Sequence, residues 1–128
     1  MVSACESGVF VGPLQTPFTL IATAAAADRK SFGCTNGVDF TEYGRAVLKE
    51  QLGQEQSFES AFRKAAGVIA AREREQHLEE SLPQLFVGEA IAAKLASLEM
   101  RLAQARAQPA PRPSDAGLRA TGSPAEND

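Results

Sequence analysis

The segment of this chain best suited to chemistry is Ala4-Cys5-Glu6-Ser7-Gly8. A cysteine thiolate attacks carbonyl carbon readily, whereas the protonated thiol is weak, so a nucleophilic cysteine needs a base nearby. Val2 and Ser3 read as the end of a strand. That places Cys5 at a strand's C-terminal lip, where open α/β sheets put their reactive groups. Gly8 has no Cβ, which lets backbone approach a substrate closely. The usual fate of a lone cysteine is burial as a small apolar residue; the strand-end position and the following glycine favour the nucleophile here. The chain's one histidine, His77, lies in the run from Arg72 to Glu80, which reads as a solvated helix face. Nothing in the sequence brings it within hydrogen-bond reach of Cys5. Cys34 reads as a loop or core cysteine.

The elements that must position Cys5 belong to a small domain. The 128 residues are enough for one domain at most, and 44% hydrophobic residues can furnish a core. The folded part is expected over residues 1–107. Residues 108–128 hold four of the seven prolines and one large aliphatic side chain, Leu118, so a disordered Pro-rich tail is expected there. A net charge of −3 argues against nucleic acid as a partner. No basic residue precedes Lys30 except Arg29, which leaves residues 1–15 without the basic start of a secretory signal. Phe18 to Ala27 is too short an apolar run to span a bilayer. Two cysteines and one histidine at these spacings make neither a zinc site nor a disulfide framework, and no metal or cofactor is expected.

Phe18 to Ala25 is an apolar run with β-branched residues, read as a buried strand, and the polar stretch from Asp28 to Asn36 as a loop. Asp39 and Glu42 have capping-box spacing, and Phe40, Tyr43, Val47 and Leu48 follow on one helical face until Gly53. Ser57 caps a second helix with Phe58, Phe62, Ala65 and Ile69 on its inner face. Pro83 interrupts, Gln84–Val87 reads as a short strand, and Gly88 closes it. Ile91, Leu95, Leu98 and Leu102 then mark a third helix, expected to cover a sheet face. The class is α/β.

These residues carry a resemblance. Val2-Ser-Ala-Cys-Glu-Ser-Gly8, then Thr23-Ala-Ala, then Asp28-Arg29-x-Ser31-x-x-Cys34, then Asp39-Phe-Thr-Glu-Tyr-Gly44 resemble the catalytic-cysteine half of the legumain-type cysteine peptidases. That family belongs to the caspase-like clan, and the likeness is to its bacterial members. The resemblance implies a caspase-like α/β/α sandwich, here only its C-terminal half, with two to three strands and three helices. It implies a peptide or protein substrate attacked by the Cys5 thiolate, with the Cys5 backbone N–H as one oxyanion donor. Ser31 falls in the segment lining the primary specificity pocket. Ser3 stands where the family carries an acidic residue that helps receive an asparagine side chain, so Ser3 and Ser31 are the expected substrate-binding residues.

The family's base is a histidine in a His-Gly turn well before the cysteine. This chain has no such residues, so it is expected to be a fragment that is inactive alone. Its half sheet would leave an unpaired edge open to self-association. Three rival readings stand beside this one. A peptidase-derived module could dock on a partner without catalysis, and the same acyl-enzyme could pass its acyl group to an amine instead of water. A redox pair of Cys5 and Cys34 is the third, weakened by the lack of Cys-x-x-Cys spacing.

Overall fold

The computed structural model describes residues 1–33, 39–55 and 57–108. Cys34 and residues 109–128 of the expected tail lie outside them. From the N-terminus a 3-10 turn, Ser7–Phe10, runs into the one-turn helix α1, Val11–Leu14. Strand β1 is Leu20–Thr23 and α2 is Glu42–Arg45, which continues as a π-helical segment over Ala46–Gln51. Then come α3, Phe58–Glu75, strand β2, Gln84–Val87, and α4, Glu89–Ala107.

β1 and β2 pair antiparallel in the register Leu20 to Val87, Ile21 to Phe86, Ala22 to Leu85 and Thr23 to Gln84. On the other side of β1, Val2 makes a parallel bridge to Thr23, donating to Ala22 O at 2.8 Å and accepting from Ala24 N at 3.0 Å. Ile21 through Ala25 are all buried, so β1 is covered on both faces and reads as an unbroken apolar run. Ala22 and Ala24 join Tyr43, Ala46, Val47, Phe62, Ala65 and Ile69 in the main core. Small residues on β1 let α2, its π-helical extension and α3 sit close to the sheet. The fold is a mixed helix-and-strand arrangement around a small sheet, compatible with part of an α/β domain.

The first long helical segment starts later than its spacing suggests. Thr41, with extended φ and ψ, is the N-cap, and its hydroxyl accepts from Gly44 N at 3.0 Å. Asp39 is exposed and lies outside the helix. Thr41 wins because its hydroxyl also meets the Ser3 hydroxyl, which fastens the helix start to the segment before Cys5. Thr41→Ala is therefore expected to cost about 1–2 kcal/mol, the worth of a cap. Asp39→Ala should be nearly silent, as an exposed side chain with no capping role. Denaturant melts of the two variants check this.

The i→i+5 bond from Leu52 N to Val47 O widens the turn and carries later residues off the α period. Tyr43 and Val47 are buried as expected, while Leu48 is turned out. Phe40 is also outside the core, with the Lys49 ammonium 4.8 Å from its ring centre. In α3, Phe62, Ala65 and Ile69 face inward as their spacing requires, but Phe58 is exposed and stacks on Phe62 at 6.5 Å. The helix ends at Glu75 rather than running to Glu80.

α4 does not cover the sheet. It is anchored at its start, where Gly88 N donates to Thr19 O at 2.9 Å and Ile91 N to Pro17 O at 3.0 Å. None of its residues is buried. Leu95, Leu98 and Leu102 keep their helical spacing but border a groove of about 220 Å³ shared with Leu52 and Phe58. No helix among the described residues is long and apolar enough to cross a membrane.

Candidate active site

Cys5 is exposed and lies three residues after Val2, whose isolated parallel bridge to Thr23 stands where the sequence predicts a strand end. Its sulfur sits against the backbone of Ser31, 26 residues away in sequence. Ser31 N–H donates to Sγ at 3.3 Å, and the thiol donates to Ser31 O at 3.4 Å. Two residues singled out from the sequence are thereby brought together. A carbonyl oxygen holds the thiol proton but cannot accept it, so this contact orients Cys5 without activating it. The amide N–H is the complementary half, a fixed donor already aimed at the sulfur where negative charge forms on deprotonation.

The turn that carries Cys5 is strapped to the segment after β1 at three points. Glu6 N donates to Arg29 O at 2.7 Å, with Glu6 in the left-handed region at φ 54°. Ser7 is fully buried, and its hydroxyl accepts from Ala25 N at 3.2 Å. Gly8 lies directly on the Ala26–Ala27 backbone, where an added Cβ would stand 2.5 Å from Ala27 N and 2.7 Å from Ala26 C. The need for glycine at this position is thus met by the chain's own backbone, not by the close approach of a substrate.

Ser3 is directed elsewhere. Its hydroxyl bonds the Thr41 hydroxyl at the start of α2, so the structure ties it to the fold and not to the Cys5–Ser31 pair. Ser31 is buried behind the cysteine at 6% exposure. His77 ends the turn after α3 with a left-handed φ of 54° and an exposed side chain, and it takes no part in the hydrogen bonds of the Cys5 thiol. Arg29, in a stretch the sequence suggests is solvated, is only partly exposed and bonds Glu79 Oε1 at 2.6 Å.

The residues that sequence reasoning missed are the supports. Glu73 lies in the charged run whose composition reads as a solvated face, yet it is 3% exposed. The signal was available, because Glu73 continues the stripe Phe62, Ala65, Ile69 at helical spacing. Arg72 beside it is also engaged, donating to both Glu50 oxygens at 2.9 Å and to Glu42 Oε2 at 3.3 Å, which braces α3 against α2 and its extension. Among the described residues no group of three or more His, Cys, Asp or Glu side chains could hold a metal ion.

The family model described as the Peptidase C13 family covers residues 1–94. No curated protein and no solved structure matches the chain.

Proposed function

The chain belongs to the Peptidase C13 family, the legumain-type cysteine peptidases, and on that premise we propose that Cys5 is the nucleophile of acyl transfer from peptide bonds. The observation that supports this most is the seating of an exposed Cys5 just after the Val2 bridge to β1, its sulfur held between the N–H and C=O of Ser31. A thiolate at Cys5 attacks the scissile carbonyl carbon, forming the S–C bond. Collapse of the tetrahedral adduct breaks the peptide C–N bond, and the leaving amine takes the proton first removed from the thiol. Water, deprotonated by the same base, then releases the acyl group as a carboxylic acid and restores the thiol. The Cys5 backbone N–H is one donor to the oxyanion, and the Ser31 segment borders the side chain of the residue whose carbonyl is attacked. Within this reading the domain is part of a caspase-like α/β/α sandwich.

The base is the missing piece. The chain's one histidine, His77, makes no hydrogen bond to the thiol, and in this reading the proton acceptor is a group that these 128 residues do not supply. The chain alone is then inactive. Incubated with a mixture of peptides covering every residue before the cleaved bond, it is expected to show no turnover above that of Cys5→Ala. Turnover that Cys5→Ala abolishes would mean that the base lies within the chain.

A second reading has its own observation. Leu98, Met100 and Leu102 on α4 are all more than a third exposed, and Val2 contributes only one bridge to its edge of the sheet. A non-catalytic interaction module, docking or self-associating through that edge, would use these surfaces. Light scattering of the purified chain separates the two: a concentration-dependent dimer favours the module, a monomer the peptidase half.

A further inference from the structure

Glu73 is a buried carboxylate that the proposed chemistry does not use, and its surroundings are costly. Its Oε1 and the hydroxyl of Ser81, both buried, have no hydrogen-bond partner among the described residues. The turn it faces holds two non-glycine residues in the left-handed region, His77 at φ 54° and Leu82 at φ 51°. Strain and a poorly satisfied carboxylate persist only where surrounding contacts over-determine them. Those contacts are visible. Glu73 grips both ends of the turn: its backbone O accepts from Leu78 N at 2.8 Å, and its Oε2 accepts from Ser81 N at 3.1 Å.

From the gripped turn two arms reach the segment on which the Cys5 turn rests. Ser81 O accepts from Ala26 N at 2.9 Å, and Ala26 is the residue against which Gly8 packs. Glu79 Oε1 accepts from the Arg29 guanidinium at 2.6 Å, and Arg29 O in turn accepts from Glu6 N. Both arms end within one residue of the contacts that hold the Cys5 turn, namely Glu6 N–H on Arg29 O, Ala25 N–H on the Ser7 hydroxyl and Gly8 against Ala26. We infer that Glu73 is a positioning residue for Cys5, acting through the 77–82 turn to fix the 25–31 segment that seats the nucleophile. The inference takes Cys5 as the nucleophile from the reading above, but its test reads the seat itself and not peptide cleavage.

The test is site-resolved amide hydrogen exchange on the full chain, comparing wild type with Glu73→Ala, Glu73→Gln and Glu79→Ala. In Glu73→Ala the Ala26, Glu6 and Ser31 amides should exchange about tenfold faster or more, while Ile21 and the middle of α3 keep their wild-type rates. Glu73→Gln keeps an acceptor for Ser81 N–H and should restore most of the protection, which a role limited to charge would not predict. If Glu73→Ala fails to fold, Glu79→Ala decides. It alters an exposed side chain and should speed exchange at Glu6 about threefold by loosening the Arg29 arm. Acceleration at Ala26 without Glu6 and Ser31, a uniform rise at every amide, or an unchanged Glu6 in Glu79→Ala would each overturn the assignment. Absence of peptidase activity would leave these rates untouched and bear only on the reading of Cys5.

Discussion

Gly8→Ala is expected to cost the fold about 3 kcal/mol or more, the upper end for a methyl forced into packed surroundings. The atoms its Cβ would meet are Ala27 N at 2.5 Å, Ala26 C at 2.7 Å and Ala26 Cα at 2.9 Å. All three are backbone, so no side chain can swing aside. Relief requires the Cys5 turn to lift from the 25–31 segment, and the bonds of Glu6 to Arg29 and of Ser7 to Ala25 stretch with it. A domain of this size has a total stability of about 5–15 kcal/mol, so the loss is a large fraction. Each kcal/mol lowers the melting temperature of a domain this small by about 4–8 °C. Gly12, on the adjacent one-turn helix, has nothing within 4 Å of its would-be Cβ and is the matched control. Gly12→Ala should melt with wild type or slightly above it. If Gly8→Ala also melts with wild type, the close approach of the two backbones is not what seats Cys5.

The second large effect is alkaline. Tyr43 is among the largest fully enclosed side chains, and burial pushes its phenol from 10.0 up to about 12. In the unfolded chain the phenol ionises near pH 10, whereas the folded chain holds its proton to about pH 12. Between those values the unfolded state binds fewer protons, so stability falls as pH rises through the window and is unaffected below it. At about 1.4 kcal/mol per pH unit the loss amounts to about 2–3 kcal/mol by the top of the window. Urea midpoints measured from pH 8 to pH 12 should fall steeply above pH 10 in wild type. Tyr43→Phe, which lacks the titrating group, should lose markedly less over the same range, and parallel curves for the two proteins would refute the assignment.

How much of this was legible in the sequence depended on whether a residue's role was local. The inner face of α3 was readable because Phe62, Ala65 and Ile69 are buried at helical spacing, and Gln84–Val87 is a strand as read. β1, by contrast, is shorter than the apolar run Phe18–Ala25 and leaves Phe18 exposed. Cys5 and Ser31 could each be marked in the sequence as parts of short motifs, and the structure brings the Cys5 sulfur to the Ser31 backbone. What the sequence hid is what depends on a distant partner. Thr41 and not Asp39 caps α2, because Ser3 meets it across 38 residues. Leu48 left the helical face because a π-helical turn intervened. Glu73 and Arg72 looked solvated because charge density in the run Arg72–Glu80 masked the apolar stripe that Glu73 extends. α4 carries a correct helical stripe whose partner surface is a groove beside Leu52 and Phe58 and not the sheet. Periodicity announces that a face is apolar, but not what it meets.

Cys5 is proposed above to be an acyl-accepting nucleophile with a base that these 128 residues do not contain. The measurement that tests it most directly isolates the protein from its own cells and treats it with a peptide-derived electrophile. Mass spectrometry then locates the adduct and identifies every peptide that precedes Met1. The prediction is a thioether on Cys5, upstream peptides that contain a His-Gly turn, and no adduct on the 128-residue chain treated alone at the same concentration. An adduct formed equally by the isolated chain, or a native protein that leaves Cys5 unlabelled while beginning at Met1, would contradict it.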